Sequence, residues 1–212
     1  MKQYPSIEHW SEDLLGRKIF AFDKLDGSNL RFEWSRKRGW YKFGTRGQMI
    51  DERHEQFGKA IPTFLDKYGD ALPRVFLDNQ HYKNVRNFVV FCEYLGANSF
   101  AGRHAEGDIM DTILFDVNPI TKGFVAPKEF IRDFGHLHTP GLIYSGVLTM
   151  DFINDVKNGK YPLTEGVLVK GADKKTQVWM IKIKTLQWLE KLKEVHGQKA
   201  LEEEFGKKLI TL

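Results

Sequence analysis

The 212-residue chain predicts an α+β fold in one domain, and three observations carry that prediction. Stretches with strand character occur around residues 18–22, 29–34, 40–49, 85–95, 111–117, 164–170 and 177–184. Apolar residues at helical spacing lie between and after them, around 51–68, 127–134, 149–156 and 186–205. Charged residues also stand inside or beside the apolar strands, where each needs a partner, and a polyanion such as a nucleoside triphosphate is one kind of guest that supplies it.

The first strand, Lys18 to Phe22, leads through Asp23 into Lys24 and an Asp26-Gly27 turn, followed by a second strand from Asn29 to Trp34. This layout reads as a hairpin with a lysine at its mouth. Taken alone, Lys24 reads as a solvated edge charge. Trp40 to Met49 is a third strand ending in a Gly44-Thr45-Arg46-Gly47 turn, whose glycines leave Arg46 free to reach inward, the alternative being a solvated turn arginine. A covering helix with an interruption or new start at Pro62 is expected over 51–68.

Val85 to Leu95 is almost continuously apolar and reads as a strand buried on both faces, with Glu93 inside it. That carboxylate must be paired internally or accept hydrogen bonds from a ligand. In the next strand, Asp111 to Val117, Phe115 and Asp116 are adjacent and so expected on opposite faces. Pro127 starts a helix that Gly135 stops, and Thr149 caps another that ends at Asn158-Gly159. Thr164 to Lys170 opens with Glu165 beside Gly166. Gln177 to Lys184 places Lys182 and Lys184 on one face and Ile181 and Ile183 on the other. Two ammonium groups so placed repel each other unless an anion lies between them. From Thr185 the pattern is helical, with a break at Gly197.

Hydrophobic residues at 42% and charged residues at 28% describe an ordinary globular balance, and a formal charge of +4 suits a phosphate-rich partner without demanding one. No apolar run approaches the length of a membrane span and no signal-peptide core is visible, so a cytoplasmic protein without membrane association is expected. The single Cys92 excludes an internal disulfide and a zinc ribbon, and reads as a small buried hydrophobe. His104, His136 and His138 read as loop residues, not a metal site. Repeats, a Walker P-loop, a Rossmann fingerprint and a nucleophile elbow are all missing.

Taken together, Lys24-x-Asp26-Gly27, the Arg46 turn, Phe91-Cys92-Glu93-Tyr94, Leu114-Phe115-Asp116, Glu165-Gly166-Val167 and Lys182-Ile183-Lys184 resemble the ordered motifs of the covalent nucleotidyltransferase superfamily. That superfamily contains ATP-dependent RNA and DNA ligases and messenger-RNA capping enzymes. The resemblance implies an ATP-grasp-like nucleotidyltransferase domain of two antiparallel sheets with flanking helices, and a nucleotide in the groove between them. It implies an adenylyltransferase domain over 1–184 and a helical tail over 185–212, with no separate oligonucleotide-binding barrel. By the same resemblance Lys24 attacks the α-phosphate of ATP to give a covalent lysyl-AMP, and Lys182 and Lys184 stabilise the charge that develops there. Glu93 resembles the ribose-binding carboxylate, Phe115 the ring stacked on the purine, and Arg46 the arginine on sugar and phosphate. Asp23, Asp26 and Asn29 are carried over as nucleotide-binding positions of the first motif. Glu165 resembles the carboxylate that holds a divalent cation, Mg2+ or Mn2+.

The missing barrel and Asn29 are more similar to the phage-type RNA ligases, in particular those similar to T4 RNA ligase 2. The expected activity is therefore an ATP-dependent RNA ligase that joins 3′-hydroxyl and 5′-phosphate ends and acts as a monomer on RNA ends or nicks, on RNA/DNA hybrids or on DNA. Its implied setting is RNA repair, with a phage-encoded origin in a host cytoplasm. A minimal ATP-dependent DNA ligase and a non-catalytic nucleotide- or nucleic-acid-binding module are the alternatives.

Overall fold

The computed structural model describes residues 1–96, 110–173 and 177–205. His104 lies outside them. The chain forms two compact units, each assembled from three separate stretches.

The first unit comprises Met1–Ser6, Gly27–Pro140 and Ala172–Val178. Its sheet consists of β3 (Ser28–Ser35), β4 (Gly39–Thr45), β5 (Met49–Ile50), β6 (Asn87–Leu95) and β7 (Asp111–Pro119) in the order β5-β4-β3-β6-β7, with every pairing antiparallel. Alternation sends Leu30, Phe32 and Trp34 of β3 into an aromatic core with residues of α1 (Ala60–Tyr68), α2 (Ala71–Asp78) and α3 (Pro127–Phe134). Phe32 stacks on Phe64 at 3.7 Å and Phe76 on Phe88 at 3.9 Å. The same alternation turns Arg31 and Glu33 to the opposite face, where Arg31 donates to the Met1 carbonyl at 3.1 Å. Cys92 is fully buried, as its apolar strand requires.

The second unit comprises Ile7–Asp26, Gly141–Gly171 and Trp179–Leu212. Its sheet runs β1 (Glu8–His9), β10 (Val178–Lys184), β9 (Gly166–Ala172), β2 (Lys18–Lys24) and β8 (Leu142–Val147) in that order. β1 joins β10 in parallel, while β2 is antiparallel to β8 and β9. Ile19, Ala21, Val167, Val169, Ile181 and Ile183 face Phe152, Ile153 and Val156 of α4 (Met150–Lys157). Thr149 caps α4 by accepting from the Phe152 amide at 3.2 Å. The last helix, α5 (Leu186–Phe205), is interrupted at Gly197, whose φ of 82° and ψ of 176° are non-helical. Among the described residues no helix is long and apolar enough to cross a membrane.

Three local expectations need correction. The strands flanking Asp26-Gly27 are not a hairpin: β2 pairs with β8 and β9, whereas β3 pairs with β4 and β6 in the other sheet. Each strand already has two neighbours, so neither has an edge left for the other. Phe115 and Asp116 do not face opposite ways. Phe91 opposes Asp116 and Cys92 opposes Leu114, leaving Phe115 as an extra residue. This bulge brings both side chains to Tyr4, with ring centroids 5.0 Å apart for Phe115 and a 2.7 Å hydrogen bond from the tyrosine hydroxyl to Asp116 Oδ2. The first covering helix is confined to α1, with Pro62 in its opening turn, where a missing amide costs nothing.

Candidate active site

In the second unit the charged residues of three strands and one helix converge. Lys24 ends β2 and pairs in register with Gly166, the first residue of β9. Its Nζ lies 2.8 Å from Oε1 of Glu165, the residue before that strand, which is nearly buried. Lys184, at the end of β10, also binds Glu165 Oε1, so one carboxylate oxygen holds two ammonium groups. This convergence requires glycine at 166. Its φ is +152°, and a Cβ there would lie 2.1 Å from the Ile183 carbonyl oxygen and 2.8 Å from Lys184 Cα.

Around Lys184 the site mixes apolar walls with charge. Its Nζ sits 3.7 Å from the ring centroid of Trp188, one turn along in α5. The Trp188 Nε1–H donates to Asp26 Oδ2 at 3.3 Å, drawing Asp26 into the same unit's polar cluster. Burial, then the charge of Lys24, pulls the Lys184 pKa down to about 7 against the opposing pull of Glu204 and Asp26.

Lys182 and Lys184 do share a face, and the anion between them comes from the chain itself. Glu204 Oε1 is 2.8 Å from Lys182 Nζ and 3.5 Å from Lys184 Nζ. It is also 3.3 Å from Nε2 of His9, the β1 residue paired with Lys182. Burial raises the Glu204 pKa, but the hydrogen bond from His9 and the charges of Lys184 and Lys182 outweigh it and bring the group down to about 2.

Asp23 is not brought into this cluster. Alternation along β2 sets it on the face of Ile19 and Ala21, opposite Lys24. Its Oδ1 is buried without a hydrogen-bond partner among the described residues, and burial raises its pKa against the lowering effect of Lys24.

The remaining positions belong to the first unit. Glu93 is directly opposite Asn29 across β3 and β6, and its Oε1 accepts from the Gly27 amide at 3.1 Å. Gly27 is pressed against this strand, since a Cβ there would lie 2.6 Å from the Tyr94 carbonyl oxygen. Phe115 is buried and meets the Tyr4 ring edge-on at an interplanar angle of 86°. Burial and the Asp116 carboxylate raise the Tyr4 pKa. Arg46 is exposed in the turn between β4 and β5.

For a divalent cation, Glu165 offers one hard oxygen donor beside the amines. Such a donor suits a cation that takes its other ligands from phosphates and water, which is how magnesium commonly binds. No group of three or more metal-binding side chains occurs among the described residues. His138 is 3.5 Å from Asp111 and also bonds Lys67, an acidic and a basic neighbour that sequence distance concealed.

Sequence reasoning missed His9, Trp188 and Glu204. His9 sits in a two-residue strand, and Trp188 fits the apolar spacing of a helix, so neither carries a local signal. Glu204 belongs to a Glu202-Glu203-Glu204 run of the kind that normally marks a solvated face.

The family model for RNA ligase matches residues 17–191. No curated protein matches the chain. Solved structures do. An apo mutant of a Naegleria gruberi RNA ligase has a TM-score of 0.62 at 17% identity over 89% of this chain and 59% of that one. The Naegleria gruberi RNA ligase with pyrophosphate gives 0.61 at 16% identity over 92% and 58%, and an archaeal ATP-dependent RNA ligase 0.60 at 15% over 89% and 50%. These likenesses establish the fold, and the chain spans less than two thirds of the length of each of these structures.

Proposed function

Because the chain belongs to the RNA ligase family, we propose that it is an ATP-dependent polynucleotide ligase that joins a 3′-hydroxyl to a 5′-phosphate on RNA. The observation that carries this reading is the pair of ammonium groups, Lys24 and Lys184, on one Glu165 oxygen. A binding module has no need to hold a lysine amine against a second buried cation. A nucleophilic lysine gains from it, because a nearby like charge and partial burial favour the free amine that attacks.

In the first step Lys24 Nζ attacks the α-phosphorus of ATP and loses a proton. A nitrogen–phosphorus bond forms, the bond to the β-phosphate oxygen breaks, and pyrophosphate leaves. Lys182 and Lys184 carry the donors that stabilise charge on the α-phosphate oxygens. Glu165 orients the Lys24 amine and would hold a magnesium or manganese ion, which supplies charge neutralisation on the phosphates. Structures of the Naegleria gruberi ligase with AMP and manganese support that choice of nucleotide and cation class. Glu93 and Phe115 are assigned to ribose and purine, Asn29 and Asp26 to the nucleotide, and Arg46 to sugar and phosphate, on the motif resemblance. Asp23 is assigned to the nucleotide on the same resemblance, although its side chain lies on the face of β2 opposite Lys24. AMP then passes from Lys24 to a 5′-phosphate end, and the 3′-hydroxyl displaces it to seal the strand.

The test is incubation with magnesium and α-labelled ATP, then a chase with nicked duplexes that differ only in ribose or deoxyribose at the break. Label should attach to the protein, disappear in Lys24→Ala, and discharge into sealed RNA-containing product. Equal sealing of all-DNA nicks would replace RNA with DNA as the substrate, and label persisting in Lys24→Ala would remove Lys24 as nucleophile.

A further inference from the structure

The anion between Lys182 and Lys184 belongs to the protein itself, and it arrives from a segment with its own hinge. Of the run Glu202-Glu203-Glu204, the first two side chains are exposed, whereas the Glu204 side chain is only 14% exposed and faces three cationic or protonatable groups. Lys182, Lys184 and His9 lie 2.8, 3.5 and 3.3 Å from its Oε1. The neighbouring Phe205 stacks on the His9 ring at 4.5 Å and 20°, and His9 Nε2 also contacts the Glu204 carbonyl at 3.1 Å. The break at Gly197, with φ of +82°, lets residues 198–205 take a direction of their own. A helical segment thus delivers one carboxylate into a nest of positive charge and secures it with an aromatic stack.

We propose that Glu204 is an internal occupant of the polyphosphate pocket, that His9 is a third protein group of that pocket, and that residues 198–205 swing away about Gly197 when pyrophosphate or the polyphosphate of a nucleotide enters. This rests on the ligase reading for what the pocket normally receives. The charge logic is competitive: a carboxylate and a phosphate oxygen seek the same donors, and they repel each other if both are present. The resting pocket is therefore partly neutralised without ligand, and an incoming polyanion must displace a weaker, singly charged one. Contacts from His9 extend the donor set beyond the two lysines in the direction of β1.

The experiment uses the full chain and inorganic pyrophosphate as the probe. Calorimetric titration compares the wild type with Glu204→Gln, and amide hydrogen exchange follows residues 198–205 with and without the probe. Removing the competing charge should tighten pyrophosphate binding about tenfold. In the wild type, pyrophosphate should accelerate exchange across 198–205 while the first half of α5 keeps its protection. His9→Ala should weaken pyrophosphate binding in the Glu204→Gln background as well, which separates a direct contact from a role through Glu204. Unchanged affinity in Glu204→Gln, or unchanged exchange in the wild type, overturns the proposal. Parallel labelling with α-labelled ATP distinguishes its failure from that of the ligase reading. Tighter pyrophosphate binding without label in either protein keeps the self-occupied pocket and removes adenylyl transfer, whereas labelling with no difference in affinity or exchange does the reverse.

Discussion

Gly166 links conformation to chemistry at a single residue. It follows Glu165, opposes Lys24, and lies so close to β10 that no side chain fits between it and the Ile183 carbonyl. In Gly166→Ala both the φ of +152° and the backbone contact become unfavourable, and the strands must separate to relieve them. The expected cost is about 2–4 kcal/mol, visible as a lowered midpoint in denaturant unfolding. ATP-dependent labelling should fall further than the unfolded fraction explains, because Glu165 and Lys184 move apart. Legibility at this scale followed sequence distance. Lys24, Asp26 and Gly27 stand together in the chain, and the alternation of Lys182 and Lys184 follows from strand geometry alone. The requirement for an anion between those lysines was visible too, but not its source, because nothing local connects residue 204 with residues 182 and 9.

At the scale of elements, short-range patterns were reliable where they had both a start signal and a stop signal. Thr149 with Asn158-Gly159, and Pro127 with Gly135, bracket α4 and α3. α2 and β8 had weaker marks: α2 carries Pro73 in its first turn, and β8 is a half-exposed edge strand interrupted by Ser145-Gly146. The reading of Asp26-Gly27 as a hairpin turn failed because a turn sequence specifies a change of direction, not a partner strand. The second half of α5 supplies a test by pH. The Glu204 pKa in the folded chain is about 2, below the ordinary 4.5, so its contribution is complete above pH 4.5 and disappears as pH falls from there toward 2. The interval corresponds to about 3 kcal/mol. His9, Lys182 and Lys184 gain no negative charge on acidification and cannot compensate. Amide protection of residues 198–205 should therefore fall between pH 4.5 and 2.5 in the wild type and show no such step in Glu204→Gln.

At the scale of the whole molecule, the described residues form two hydrophobic cores, one in each unit. The first is dominated by aromatic rings, and Phe76, fully buried and stacked on Phe88, lies inside it. Phe76→Ala removes that stack and leaves a cavity, for an expected loss of about 3–5 kcal/mol in denaturant unfolding. The division into two sheets follows the family resemblance, but the interleaving of the units was not legible in any window of sequence, since it depends on pairings between distant segments. β1, at residues 8 and 9, finds its partner at residues 181 and 182 of β10. On a ribosome, residues 8 and 9 must wait for residues 181 and 182 to emerge before that pair can close, and contacts so far apart along a chain form slowly. A nascent chain has Lys24 early but not the strand that brings Lys182 and Lys184, so on the ligase reading a product cut short before residue 182 should take up no label from α-labelled ATP.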